Sequence, residues 1–318
     1  MTPLRVAVVG VGYLGRFHAQ KYVALAEAEL VGVCDLDAAR GRALAEELRT
    51  QYFADYRELA GKVQAVTIAA DTSAHFELAK FFLGQGIHVL VEKPMTRTSA
   101  EAAELTELAA SAGLKLQVGH VERFNPALLS ARSKLTAAGF IECHRLAPFK
   151  ARGVDVNVVL DLMIHDLDVI LSLVDGKPAK VSAVGVSILT QTVDIANARI
   201  EFDNGAIANV TASRVSTKAE RKFRVFQKNQ YVSIDFGRGE VQRVTSGGEW
   251  QGDEPPLNHE KWSLEKGDAL LDETRAFVES VLRDTPCLVS GRDGQLALEL
   301  AETIMRDIER RGGLLAAR

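Results

Sequence analysis

Asp161 and His165 stand four residues apart in the run LDLMIHDLDVILSLV, residues 160–174, which is otherwise mostly apolar. On a helix each residue advances about 100°, so Asp161, His165, Asp168 and Ser172 fall on one narrow stripe. Leu162, Met163, Ile164, Leu167, Val169, Ile170 and Leu171 cover most of the rest. A helix this apolar is mostly buried. Its polar stripe must face water, a cavity or a partner, because an unpaired polar group in a core is costly. An Asp one turn before a His can hold the imidazole and raise its basicity, which suits a general base taking a proton from a hydroxyl. The plainer reading is an amphipathic helix with a thin solvated face, although such faces usually carry Lys, Glu and Gln. A metal needs more ligands than this stripe offers and none stands at the usual spacing, so no metal site is expected.

A second chemical group is Glu92-Lys93-Pro94, which follows the apolar run IHVLV. Lys93 at the carboxyl end of a strand could place an ammonium beside a ligand; the plainer reading is a surface lysine. The third stretch is LRVAVVGVGYLG, Leu4 to Gly15, a buried-strand pattern running into glycines at the spacing G-x-G-x-x-G. Gly10 permits a tight turn, Gly12 lets backbone approach a pyrophosphate, and Gly15 lets the next helix pack against the strand. Tyr13 and Leu14 lie on the same turn. Glycine spacing alone also fits a turn with no ligand. What turns the balance is Asp35, which ends a second apolar strand twenty residues after Gly15. A carboxylate there accepts the ribose hydroxyls of adenosine and repels a 2′-phosphate. The expected cofactor is NAD, with NADP disfavoured, and the nearby Arg40 and Arg42 are the features that could accommodate the phosphate instead.

These residues need elements to hold them. Through residue 122, apolar strands at 4–10, 29–35, 52–54, 65–71, 87–92 and 115–121 alternate with helical patterns at 14–26, 37–49, 73–85 and 98–112, the signature of a doubly wound parallel sheet. Thr98 and Glu101 form a capping box, and Gly113 closes that helix. Open sheets of this class bind ligands at the carboxyl ends of their strands. Glu92, Lys93, Asp71 and His75 are therefore expected near the cofactor, with His75 equally suited to capping or packing.

From residue 123 to 318 the pattern predicts a second domain. A helix over 126–138, a strand near 141–150 and a helix over 156–174 precede strands at 180–189, 197–202, 206–213, 222–227 and 231–236. Asp203-Asn204-Gly205 joins the strands at 197–202 and 206–213, and its Asn-Gly pair is a strong hairpin signal that asks for positive φ at both turn residues. Asn229-Gln230 joins the next pair, 244–262 reads as a loop, and helices over 267–283 and 292–311 close the chain. The expected architecture is α/β, a doubly wound domain followed by an α+β domain with an open, largely antiparallel sheet.

The chain has 318 residues, a net charge of −4 and three scattered cysteines. No general field attracts nucleic acid or a membrane, no disulfide framework is suggested, and no run is long enough to span a bilayer. A cytoplasmic protein is expected.

Five segments, GVGYLG at 10–15, AADTSAH at 69–75, VEKP at 91–94, VGHVERFNPA at 118–127 and DLMIHDLD at 161–168, together resemble the Gfo/Idh/MocA family of NAD(P)-dependent sugar and inositol oxidoreductases. The resemblance covers nearly the whole chain. It implies a Rossmann domain followed by an open-sheet domain that often forms the oligomer interface, here a homodimer or homotetramer. It also implies that Lys93 lies by the reacting carbon and that Asp161 and His165 supply the catalytic base. The family's glycine-rich run before that base is replaced here by VDVNVVL. The wording LDLMIHDLD is most similar to members acting on nucleotide sugars such as UDP-N-acetylglucosamine, or to the related biliverdin reductases.

A nucleotide sugar carries a pyrophosphate, which an acidic chain must hold with local cations. Arg152 and Arg214 are placed best for this by sequence, with Lys150 and Lys218 next, and Arg123 and Asn125 at the domain crossover could touch either ligand. The run Arg214, Lys218, Arg221, Lys222, Arg224 reads otherwise as a solvated sheet edge. The expected activity is NAD-dependent oxidation of a secondary hydroxyl. The alternative of another class is a non-catalytic NAD(H)-binding sensor or regulatory protein, which would have no use for Lys93, Asp161 and His165 as a set.

Overall fold

The computed structural model of the chain describes residues 2–150, 156–248, 256–265 and 267–312. Strands β1 (Leu4–Val9), β2 (Ala28–Cys34), β3 (Gln51–Phe53), β4 (Ala65–Ile68), β5 (His88–Glu92) and β6 (Leu116–Gly119) alternate with helices α1 (Tyr13–Val23), α2 (Ala38–Leu48), α3 (Thr72–Gly84) and α4 (Ser99–Ser111). They form one parallel sheet in the order β3-β2-β1-β4-β5-β6. The order reverses between β1 and β4, and that switch point is where such sheets bind ligands. The Thr98–Glu101 capping box is formed, and Gly113 has φ +66°.

Beyond Gly119 come α5 (Pro126–Ala131), β7 (Phe140–Leu146), a π-helical turn over Val159–Met163, α6 (Ile164–Leu173), then β8 (Pro178–Val186), β9 (Ile195–Phe202), β10 (Ile207–Ser213), β11 (Glu220–Gln227), β12 (Gln230–Asp235), β13 (Glu240–Ser246) and β14 (Leu257–Ser263), and finally α7 (Ala269–Leu282) and α8 (Gly291–Arg310). The eight strands from β7 onward form a second sheet, ordered β14-β13-β12-β11-β7-β10-β9-β8, in which β7 and β10 are the parallel pair and every other neighbour is antiparallel. Ser290 and Asp293 start α8 as a capping box.

Contacts divide the chain into two compact units, Met1–Val121 with Asp268–Leu296, and Glu122–Gly267 with Ala297–Arg318. The sequence grouped 123–318 together; the segment 268–296 instead packs in the first unit. Phe277 and Val278 of α7 join Leu4, Val6, Val8, Ala19 and Tyr22 in its core. In the second unit, alternate residues of β7, β9, β10 and β11 bury one sheet face against Leu167, Val169 and Ile170 of α6 and Leu300, Ala301 and Ile304 of α8.

Several expectations are corrected. The helix expected over 126–138 stops at Ala131, passing into a 3-10 turn at Arg132–Lys134, because the Gln227 side chain accepts the Thr136 and Ala137 N–H groups at 2.8 Å and pulls the chain out of helix. The Asp203-Asn204-Gly205 hairpin has positive φ at Gly205 but not at Asn204, and the Gly205 N–H bonds to Phe202 O. The connection keeps the three residues expected, but only Gly205 takes the left-handed conformation expected of both Asn204 and Gly205. Asn229, with φ +58°, pairs with Lys228 in the next turn, so Gln230 already belongs to β12. The expected loop at 244–262 contains most of the hairpin β13–β14, paired Val241 to Trp262. An edge strand solvated on both faces shows no alternation. Only the Trp262 ring is partly covered, its Nε1 donating to Ser130 Oγ at 3.0 Å. Residues 249–255 of that stretch lie outside those described.

Candidate functional site

The glycine turn after β1 is built as its spacing requires. Gly10 has φ +82°, and a Cβ there would stand 2.6 Å from the Ala70 backbone at the end of β4. A Cβ on Gly15 would stand 1.8 Å from Gly10 O, so the first turn of α1 and the glycine turn touch backbone to backbone. Gly12, the N-cap of α1, has nothing within 4 Å of the Cβ position. Its face is open where the other two are filled. The first turn of α1 carries no acidic residue, which leaves its N–H groups and positive dipole to an anion. Tyr13 is exposed and meets Phe17 edge-on at 5.2 Å. A cleft of about 530 Å³ is lined by Gly12, Tyr13, Arg16, Phe17, Arg40 and Leu44, among others. These features fit a dinucleotide.

Asp35 holds this turn in shape. One carboxylate oxygen accepts the Val11 N–H at 2.7 Å and the other accepts the Asp37 N–H at 2.8 Å. Arg40 forks onto both oxygens, at 2.8 and 3.2 Å. Burial by itself would raise this carboxyl; the Arg40 and backbone donors outweigh it and hold Asp35 below the usual carboxylate range. The sequence weighed Asp35 and Arg40 as opposing signals, and the structure joins them in one ion pair. Arg42 lies over the Tyr52 ring instead. The guanidinium is half exposed; if Asp35 sets the cofactor preference as the sequence predicts, Asp35→Ser should narrow the gap between NADH and NADPH affinities and Arg40→Ala should widen it. Fluorescence titration of both cofactors measures this, and tighter NADPH than NADH binding by the unaltered chain would refute the role given to Asp35.

Asp71 is exposed at the N-cap of α3. His75 is buried, with Nδ1 2.9 Å from Pro94 O and Nε2 3.0 Å from Ala70 O. Burial pushes its pKa down, so the neutral ring donates to one carbonyl and rests against the other. It braces the backbone next to Lys93, which makes it a packing residue in this structure. Lys93 is half-buried, and its N–H donates to the Glu92 carboxylate at 3.1 Å. Glu92 is itself buried and takes a 2.7 Å hydrogen bond from His18 Nε2 on α1. Burial raises its pKa, but His18 outweighs this and holds it low. Glu273 of α7 brings a third buried group, within 4.8 Å of the other two. The sequence reading missed His18 and Glu273. His18 shares the buried face of α1 with Gly15, Ala19 and Tyr22, and a histidine in an apolar stripe was the available signal.

In the second unit the run 156–174 is not one α-helix. Ile164 N–H bonds to Val159 O, five residues back, so Asp161 sits in a π turn and the α-ladder of α6 begins one residue before His165. Asp161 and His165 are half-buried. The other two members of the expected stripe are claimed by neighbours. Asp168 is buried and accepts from Arg123 at 3.3 Å, and Ser172 accepts from Arg132 at 2.9 Å. Asn125 caps α5 through the Ala127 N–H and donates to Glu122. Arg123 and Asn125 are therefore engaged in building the unit, and contact with a ligand would add to those bonds or replace them.

Arg214 is turned inward. It is 5% exposed, reaches Asp194 at 3.7 Å and donates to Val156 O. Asp194 is wholly buried and accepts the Ile188, Leu189 and Thr190 N–H groups. A phosphate would have to compete with that carboxylate for the guanidinium. Arg152 lies outside the described residues, and Lys150 and Lys218 are exposed. Nor is the basic run a sheet edge, since β11 lies between β12 and β7. Arg224 pairs with Glu142 at 2.6 Å, and Arg221 lies 3.8 Å from Glu122. A buried cluster that the sequence reading did not single out joins Glu122, Arg145 and Asp166. Burial pushes Asp166 up and would do the same to Glu122, where Arg145 outweighs it and holds the carboxyl low.

Residues 4–120 match the family model described as "Oxidoreductase family, NAD-binding Rossmann fold", and residues 138–232 match the GFO/IDH/MocA C-terminal domain. The chain is 38% identical to UDP-N-acetylglucosamine 3-dehydrogenase of Acidithiobacillus ferrooxidans over 310 residues, covering 97% of this chain and 98% of that one. A solved structure of the A. ferrooxidans UDP-N-acetylglucosamine 3-dehydrogenase superposes with a TM-score of 0.91 at 37% identity, covering 98% and 99%. An inositol 2-dehydrogenase of Rhizobium meliloti is 25% identical over 96% of this chain and 97% of its own. With both halves matched in order and the glycine turn built for a dinucleotide, the chain belongs to the Gfo/Idh/MocA family of NAD-binding oxidoreductases.

Proposed function

We propose that this chain oxidises the C3 hydroxyl of a UDP-N-acetylhexosamine, UDP-N-acetylglucosamine foremost, with NAD⁺. The observation that carries this reading is the full-length likeness to the A. ferrooxidans 3-dehydrogenase. NAD⁺, when bound, supplies the hydride acceptor. The turn shaped by Gly10 and Gly15 would present the open Gly12 backbone and the start of α1 to its pyrophosphate, and Asp35 would accept the adenosine ribose hydroxyls. His165, half-buried at the head of α6, removes the hydroxyl proton, with Asp161 one turn earlier supporting the imidazolium that results. The Lys93 ammonium hydrogen-bonds the substrate oxygen and favours it as it becomes a carbonyl. His75 and the His18–Glu92 pair fix the backbone on either side of Lys93.

A panel of UDP-N-acetylglucosamine, UDP-glucose, glucose and inositol with NAD⁺ tests the reading. UDP-N-acetylglucosamine should give the highest kcat/KM, and its KM should rise with salt, since a pyrophosphate held by cations such as Lys150 and Arg152 is screened. Equal turnover of free sugars would sink the nucleotide-sugar reading. The same reading carries a cytoplasmic homo-oligomer. On the sheet face away from α6, Phe140 stacks on Phe226 and Phe226 on Tyr231, giving a half-covered aromatic row suited to a second copy. Light scattering should give a mass of two or four chains, and a monomer at micromolar concentration would overturn it.

A further inference from the structure

Arg145 occupies an inward position of β7, in register with Ile141 and Cys143, which belong to the hydrophobic core. Its buried guanidinium forks onto Asp166, Nε to Oδ2 and Nη2 to Oδ1 at 2.8 Å each, and Nη1 donates to Glu122 Oε1 at 2.8 Å. All three side chains are at least nine-tenths buried. The two carboxylates hold the guanidinium charged against the effect of burial. Replacing such a network with apolar side chains of like volume is often neutral or stabilising, so stability is a weak reason for placing one in a core. What a planar, two-pronged donor does supply is direction, because parallel bonds fix a carboxylate in both position and rotation.

The direction matters here because of where Asp166 stands. It is the residue after His165, and the regular ladder of α6 starts at Ile164, following a π turn that is wider than an α turn. The backbone bonds on the N-terminal side of His165 are those of the π turn, capped by Asn157 at the Val159 and Leu160 N–H groups, and none of them sets the rotation of α6 against the sheet. Arg145 ties the His165 turn to the middle of the sheet. Its other arm, Glu122, neighbours Arg123, which is bonded to Asp168, so the first two turns of α6 are held at Asp166 and again at Asp168.

We propose that Arg145, acting through Asp166, is a positioning residue that fixes the orientation of His165. The proposal rests on the reading of His165 as the general base. The test places Asp166→Asn and Arg145→Lys each in the unaltered chain and in a His165→Ala background. NAD⁺ reduction with UDP-N-acetylglucosamine, or with whichever panel sugar the unaltered chain oxidises fastest, gives kcat and KM separately. NADH affinity and Tm are measured alongside. Asp166→Asn keeps the shape of the side chain but removes its charge and turns one of the two accepting oxygens into a donor, and Arg145→Lys keeps the charge without the fork.

In the unaltered background kcat should fall about tenfold in each variant, within the roughly 100-fold that a 1 Å misplacement can cost. KM for NAD⁺ and NADH affinity should hold. In the His165→Ala background neither substitution should lower the residual turnover further, because a residue that acts only through another is not additive with it. A merely structural role would lower Tm and multiply the loss in both backgrounds, and that result overturns the proposal. So does wild-type kcat in both variants while His165→Ala is impaired, which refutes the positioning and leaves the base intact. Normal turnover by His165→Ala removes the base, and the proposal with it. If Asp166→Asn does not fold, the Arg145→Lys arm decides by the same criteria.

Discussion

Replacing His165 with alanine should cut turnover by roughly 10² to 10⁴ while leaving NADH affinity nearly unchanged. The loss follows from the chemistry. Oxidising a secondary alcohol requires its proton to leave as the hydride does, and a positioned imidazole takes that proton far better than water. The retained affinity follows from the architecture, because Gly10, Gly12, Gly15 and Asp35 all belong to the first unit and His165 to the second. Stopped-flow turnover and fluorescence titration on the same preparation separate the two effects. Unaltered turnover would remove His165 from the mechanism and revive the sensor reading, in which the fold binds NAD(H) without chemistry. Asp161→Asn should show a smaller loss of the same kind, since the imidazole remains but its support weakens.

How much of this was legible in the sequence depended on whether the signal was local. The glycine turn, Asp35, the six parallel strands and the two capping boxes are each written within a few residues of one another, and all are present. Lys93 and His165 stood out in the sequence because a charged residue at a strand end and a histidine in an apolar helix are exceptions to their surroundings. What the sequence hid was pairing at a distance. Asp168 and Ser172 looked like a free polar stripe because their partners, Arg123 and Arg132, lie 45 and 40 residues upstream. Arg214 looked like a phosphate clamp because nothing near it in sequence announces that its fork turns inward to Asp194 and Val156.

The Arg145 cluster could have been found. Alternation along FIECHRL puts Arg145 on the same side as Ile141 and Cys143, and Asp166 lies off the Asp161–His165 stripe on a helix that is otherwise apolar. Each is a charge at a core position, and two such charges of opposite sign predict each other. The β13–β14 hairpin could not have been found that way. β14 is exposed everywhere but at Trp262 and shows no period of two, and the long Gly- and Pro-rich stretch between the strands reads as a loop rather than as a tight hairpin turn. The return of residues 268–296 to the first unit was likewise invisible, since an amphipathic helix carries no record of which apolar surface covers it.

The glycines give a prediction in which stability and binding come apart. At Gly15 an added Cβ would meet Gly10 O at 1.8 Å and Gly10 C at 2.9 Å, contacts with backbone that cannot swing away. Gly15→Ala must therefore push α1 off the turn, at a cost of about 1–3 kcal/mol or more, and should lower Tm and NADH affinity together. Gly12→Ala meets nothing within 4 Å, and its backbone, at φ −64° and ψ −152°, asks for no left-handed conformation. Its stability should change by no more than about 1 kcal/mol, the difference between glycine and alanine as a helix N-cap. Yet the proposed function puts the pyrophosphate in that open space. A methyl group in it should weaken NADH binding about tenfold or more, a loss of ~1.4 kcal/mol or greater. Thermal unfolding and NADH titration of the two variants side by side decide the matter. Native affinity in Gly12→Ala would show that the phosphates do not lie over that glycine, and native stability in Gly15→Ala would show that α1 is not locked to the turn by backbone contact.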